Sequence, residues 1–273
     1  MISVVVNLDS RTGVDGAVSE FTGHNDGTRS WDFFTAGLVN KLAFFKGHVV
    51  ELIVFIDEHE PVPEHILNQV RLLADSVTIR AHSRDYRGAE NVGYFNDLNY
   101  LRALFQASGE IIAHFDSDTA AFARNKSTVD GLLALLDQHK FVSYPSATSP
   151  RAVDDPSFEG RTWASTRFFL CQREALKFDV LERALREPQW AYATYGQSAR
   201  VCPWLEHFLS LTNNESVIYP QRDDANLLVF CWSRYLSGIL PALNARPFDE
   251  VADYVLNRCG SIHYPCDVHA RPL

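Results

Sequence analysis

Residues 110–122 read EIIAHFDSDTAAF, an apolar run from Ile111 to Phe115 that delivers Asp116, Ser117 and Asp118 in immediate succession. The run predicts a strand with an acidic tip. In extended backbone successive side chains alternate faces, so Asp116 and Asp118 are expected on one side and Ser117 on the other. Two carboxylates that close oppose each other's ionisation unless a cation or donor neutralises them. Their hard oxygens suit Mg²⁺ or Mn²⁺ shared with a substrate phosphate. Asp-Ser-Asp is also turn and helix-capping chemistry. Position separates the two readings: 111–115 has the composition of a buried central strand, and open α/β sheets bind ligands at the carboxyl ends of such strands.

Upstream of this stretch, strands and helices alternate. Residues 2–8 are rich in valine, as in a strand buried on both faces. Residues 30–45 place Trp31, Phe34, Leu38, Leu42 and Phe45 at helical spacing, and Gly47 is a C-terminal stop. A second strand over 51–56 ends in Asp57 and Glu58. Pro61 and Pro63 introduce a helix over 64–73, and 77–81 is a third strand. An amphipathic helix over 94–107 then leads through Gly109 into the central strand. This β-α-β-α-β-α-β order predicts a doubly wound, mostly parallel sheet flanked by helices.

Downstream the pattern loosens. A helix is expected over 129–137, strands over 141–144 and 166–171, and helices over 174–185, 204–211, 225–235 and 248–258. The C-terminal part is thus mainly helical, with an extended tail from Ser261. Between Pro145 and Arg161 lies a polar loop of the length that often serves as a lid or acceptor-site wall. The expected organisation is one domain over 1–273, with 1–120 as the ligand-binding half and 121–273 as the acceptor half and tail.

Composition narrows the function classes. The chain has 273 residues, of which 46% are hydrophobic, enough for a full core. A net charge of −9 disfavours nucleic acid and anionic membrane surfaces as general partners, and leaves a local basic pocket for a small anion open. The five cysteines form no CxxC pair, which suits reduced thiols of a cytoplasmic protein. Cys259 and Cys266 flank His263, but without the paired spacing and fourth ligand of a structural zinc site. Neither a signal peptide nor a run of about 20 apolar residues is expected, while peripheral membrane contact stays open.

The segments ISVVVNLDSR (2–11) and ENVGYFNDLNYLRALFQASGEIIAHFDSD (90–118), with a second strand ending in Asp57, resemble the GT-A glycosyltransferases, especially the broad family 2 type. That family carries a loop and helix of the form N-x-G-x-x-x-A-x-N-x-G-x-x-x-A-x-G before a strand and a D-x-D motif. Asn91, Gly93, Asn96, Ala107 and Gly109 echo it in part, and Asp116-Ser117-Asp118 stands at the D-x-D. The resemblance covers the first half of the chain.

It implies a GT-A-type sheet and a hexosyltransferase-class enzyme using a nucleoside-diphosphate sugar, a UDP-sugar first. The acceptor is an unidentified carbohydrate or small molecule, and a divalent Mn²⁺ or Mg²⁺ stabilises the leaving diphosphate. Asp118, Asp116 and a late His263 (or His269, near Asp267) would ligate the metal. Asp9 and Asp57 would face the base and ribose, with Asp116 also on the ribose or reached through water. Arg84 and Asn91 would touch the nucleotide, a guanidinium pairing with phosphate oxygens. Arg84 and Arg87 can equally pair with Asp85 and Glu90 at the surface. If the enzyme inverts configuration, which the sequence leaves open against retention, the family's catalytic base opens a helix after the D-x-D, which implies Glu206 in CPWLEHFLSL; His207 stands where a second acid is usual.

Two further readings compete. A sugar-phosphate nucleotidyltransferase would need a Gly-rich phosphate loop after the first strand, where this chain has NLDSRTGVDG. A catalytically inactive carbohydrate- or nucleotide-binding module would keep the fold without the base.

Overall fold

The computed structural model describes residues 1–7, 31–57, 63–82, 102–115, 119–143, 168–187, 190, 193, 217–218, 226–231 and 239–259. The strands are β1 (Ile2–Asn7), β2 (Val50–Asp57), β3 (Ser76–His82), β4 (Ile111–Phe115), β5 (Thr119–Ala123), β6 (Phe141–Ser143), β7 (Phe168–Gln172), β8 (Val217–Ile218) and β9 (Leu227–Cys231). The helices are α1 (Trp31–Phe44), α2 (Glu64–Arg71), α3 (102–106), α4 (Lys126–Leu135), α5 (Phe178–Arg186), α6 (Ile239–Asn244) and α7 (Phe248–Cys259). None of the helices described is long and apolar enough to cross a membrane.

Seven strands form one sheet in the order β3-β2-β1-β4-β7-β6-β8, and β5 pairs with β9 in a second, two-stranded sheet. β1 through β4 are parallel, as the alternation of elements predicts. β7 lies antiparallel to both β4 and β6, so β6 and β8 run with β4 and β7 is the reversed strand.

The strands are apolar on both sides because both faces are covered. Val4, Val6, Leu52, Val54, Ala113, Phe115 and Phe168 fill one layer with α1, α2, α4, α6 and α7. Their alternate neighbours Val5, Ile53, Phe55, Ile112 and Phe169 fill the other with Ala103, Leu104 and Leu181. This is the period of two that a central strand requires, with both registers apolar.

The amino edge of the sheet is tied by polar groups. Ser3 and Glu51 are register partners on β1 and β2, both buried, and Ser3 Oγ donates to Glu51 Oε2 at 2.5 Å. Glu51 also accepts from the Ser108 N–H and Ser108 Oγ, each at 3.0 Å, so its buried carboxylate is well supplied with donors. Gly109 donates its N–H to Ser3 Oγ at 2.8 Å. A Cβ at Gly109 would meet Ser3 Oγ at 2.7 Å and the Met1 carbonyl at 2.8 Å, which is why the turn into β4 has no side chain there.

Two expectations are corrected. Residues 225–235, expected to be helical, contain β9, whose LLVFC run pairs antiparallel with β5. A short apolar run fits either state, and here a distant partner decides it. The helix expected over 174–185 is broken: a 3₁₀ turn at Arg173–Leu176 gives way to α5 through Lys177, at φ 46° and ψ 64°. β5 and α6 were not expected at all. The helix expected over 204–211 and the extended tail lie outside the described residues. Of the cysteines, Cys171 is a free, buried thiol whose pKa is pushed up by burial.

Gly109→Ala should lower unfolding free energy by about 1–3 kcal/mol, the range for overpacking a filled site, measured by urea denaturation with unchanged m-value.

Candidate functional site

The carboxyl edge of the sheet is where a ligand would bind. In parallel register Asn7, the last residue of β1, lies beside Phe55 of β2, and Val6 lies beside Phe115, the last residue of β4. The ends of β1 and β4 are therefore side by side. The strand order reverses between these two, and in open α/β sheets ligands bind at such a switch point. β2 runs two residues further, to Asp57, which pairs with His82 of β3.

Asp57 is the one expected site residue among those described, and it lies where expected, at the carboxyl end of its strand. Asp9, Arg84, Asn91, Asp116, Asp118, Glu206 and His263 lie outside the described residues, as do Asp267 and His269. What the structure does fix is both flanks of the acidic segment. Phe115 closes β4 and Thr119 opens β5, and each is fully buried. Three residues, two of them aspartates, join these anchored ends.

The C-terminal half of α1 holds both flanks. Phe44 and Phe45 pack edge-on against Phe115, with ring centroids at 6.3 Å and 6.1 Å, and Phe44 also meets Phe168 at 6.0 Å. Asn40 and Lys41, one turn earlier, reach β5 instead. Asn40 Oδ1 accepts from the Ala121 N–H at 2.8 Å, and its Nδ2 donates to Asn244 at 3.0 Å. Lys41, only 1% exposed, donates from Nζ to the Thr119 carbonyl at 2.8 Å and lies 5.8 Å from the centre of the Phe115 ring. Burying an ammonium costs several kcal/mol unless hydrogen bonds and charge offset it, so this placement is a strong constraint.

The sequence reading missed Asn40 and Lys41. The signal was present: Lys41 falls three residues after Leu38 and four before Phe45, on the inward stripe of the helix.

Among the described residues no group of three His, Cys, Asp or Glu side chains could hold a metal. The fit of a divalent cation therefore rests on donor chemistry at the carboxyl edge. Two hard-oxygen residues stand between strand ends that are locked into the core, a donor set suited to Mg²⁺ or Mn²⁺. A cavity of about 260 Å³ is lined by Asn40, Phe44, Phe122, Lys126 and Asn244 among others. The Asn40 and Asn244 amides there bond within the protein, and Lys126 pairs with Asp130.

No family model matches the sequence, and no curated protein does either. Solved structures do. The galactosyltransferase LgtC, in complex with donor and acceptor sugar analogues, is 11% identical over 100% of this chain and 88% of its own, with a TM-score of 0.53. Core-mannan synthase A of Aspergillus fumigatus, in an Mn/GDP form, is 7% identical over 81% of this chain and 73% of its own, with a TM-score of 0.46. At such identity the first likeness speaks to architecture. The chain has the GT-A fold, an α/β structure with a mostly parallel central sheet flanked by helices.

Asn40→Ala should cost about 1–3 kcal/mol of stability, since it leaves the Ala121 N–H without its acceptor; thermal or urea unfolding measures it.

Proposed function

We propose that this chain is a metal-dependent glycosyltransferase that moves a sugar from a nucleoside-diphosphate sugar, a UDP-sugar first, to an acceptor hydroxyl on a carbohydrate or small molecule. One observation carries the reading. β1 and β4 end side by side at the switch point of a GT-A sheet, and the chain leaving β4 is Asp116-Ser117-Asp118 before it re-enters the core at Thr119. The likeness to a galactosyltransferase solved with donor and acceptor sugar analogues supports it.

On this reading Asp118 would ligate Mn²⁺ or Mg²⁺, Asp116 would do so through water or hold the ribose, and His263 would complete the set. A cation held there would supply Lewis-acid stabilisation of the negative charge that develops on the leaving diphosphate. Asp9 and Asp57 hold the base and ribose. Arg84 and Asn91 bind the nucleotide, the guanidinium suited to phosphate oxygens. Glu206 accepts the proton of the acceptor hydroxyl as it attacks, a role that requires it to be ionised and within hydrogen-bond reach of that hydroxyl.

Isothermal titration with UDP should show binding in the presence of Mn²⁺ that is lost with chelator; absence of metal-dependent binding to UDP, GDP and the other nucleoside diphosphates would sink the proposal. Asp118→Asn should reduce transfer or donor hydrolysis by at least about 100-fold, as loss of a group stabilising the transition state does, with the melting temperature kept. Full activity would remove Asp118 from the mechanism.

A further inference from the structure

We propose that Lys41 is a positioning residue for the donor site: its buried ammonium holds the Thr119 carbonyl, and so the chain that follows Asp118, in the conformation that binds the metal–nucleotide pair. The proposal deepens the glycosyltransferase reading and rests on it for the identity of the ligand.

A lysine deep in a fold is costly, and apolar residues of similar volume fill such space at lower cost. Lys41 nonetheless stands on the inward stripe of α1, between Leu38 and Phe45, all three nearly inaccessible to solvent. Several features favour a cation at this position. It falls in the last turn of α1, where the helix dipole favours positive charge. Its Nζ donates to a backbone carbonyl, and the Phe115 ring face lies within cation–π reach.

These two contacts belong to the residues on either side of the Asp116–Asp118 segment. A single ammonium therefore bonds the first residue of β5 and lies within cation–π reach of the last residue of β4. The hydrogen bond fixes the peptide group one residue after Asp118, and Asn40 fixes the N–H of Ala121 two residues further on. With both flanks packed, little freedom is left at the roots of the segment. Ligand geometry that is settled in advance need not be settled at the expense of binding energy. Replacing Lys41 by an apolar residue removes its hydrogen bond to the Thr119 carbonyl and its charge, while the aromatic packing of Phe44 and Phe45 on Phe115 stays.

UDP binding at saturating Mn²⁺ is measured by isothermal titration for the wild type, Lys41→Met, Lys41→Arg and Leu38→Ala, with a thermal melt for each. Lys41→Met should weaken UDP on the order of tenfold or more, the size of a lost hydrogen bond from a charged group. Lys41→Arg keeps a cation and N–H donors and should recover most of that loss. Leu38→Ala loses core packing from the same helix and should stay within about threefold despite its lower melting temperature. Unchanged binding in Lys41→Met overturns the proposal, and so does a loss in Leu38→Ala that matches it. A wild type that binds no nucleoside diphosphate with Mn²⁺ overturns the glycosyltransferase reading as well. If Lys41→Met does not fold, the wild type decides by NMR. The Lys41 ¹³Cε resonance, assigned by its absence in Lys41→Arg, should be broadened by Mn²⁺–UDP and not by Mg²⁺–UDP; a sharp signal with Mn²⁺–UDP overturns the proposal.

Discussion

The burial of the Lys41 ammonium is the constraint on which the carboxyl end of the sheet depends. An ion removed from water dictates what surrounds it, because each of its donors must find an acceptor. Here one acceptor is the Thr119 carbonyl, and the aromatic face below is Phe115. Once α1 is docked by Leu38, Leu42, Phe44 and Phe45, the start of β5 has little choice of position. β5 in turn sets β9, with Thr119 opposite Cys231 and Phe122 stacked on Phe230. Helix, central strand and second sheet are thus locked through one corner of the fold.

The opposite edge of the sheet uses a different device for the same purpose. Ser3, Glu51, Ser108 and Gly109 join β1, β2 and the turn into β4 through hydrogen bonds to a buried carboxylate. Arg173 adds a bond from its Nε to the Ala107 carbonyl at 3.0 Å and covers the Phe178 ring. Strand β4 is therefore held at both ends by polar groups and between them by apolar contact on both faces. A scaffold restrained in this way suits a site whose parts must keep their spacing.

The first half of the fold was legible in the sequence because its signals are local. Valine- and isoleucine-rich runs, helical spacing in 30–45 and the stop at Gly47, where φ is 91°, all report on nearest neighbours. β5 and β9 were not legible, since TAAFA and LLVFC become strands through each other and are far apart in the chain. The break at Lys177 was hidden as well, because the flanking residues are good helix formers. For the site, Asp57 lies at its expected strand end, while Asp116 and Asp118 lie outside the described residues. Lys41 was passed over because a lysine in a helix is normally a solvated residue, and only packing shows which way this one points.

The reversed strand β7 carries a consequence for how such a chain can diversify. β6 runs with β4 and ends at Ser143, while β7 runs against it and begins at Phe168, opposite Phe115. The chain thus departs after Ser143 and returns before Phe168 at one and the same rim, the rim at which β4 hands over to Asp116. The register of β7 with β4 and with β6 is set on the strands themselves, by Phe168 opposite Phe115 and Phe169 opposite Ser143. Evolution, or an engineer, can therefore vary the length of chain between those two points while the strand ends at that rim keep their register.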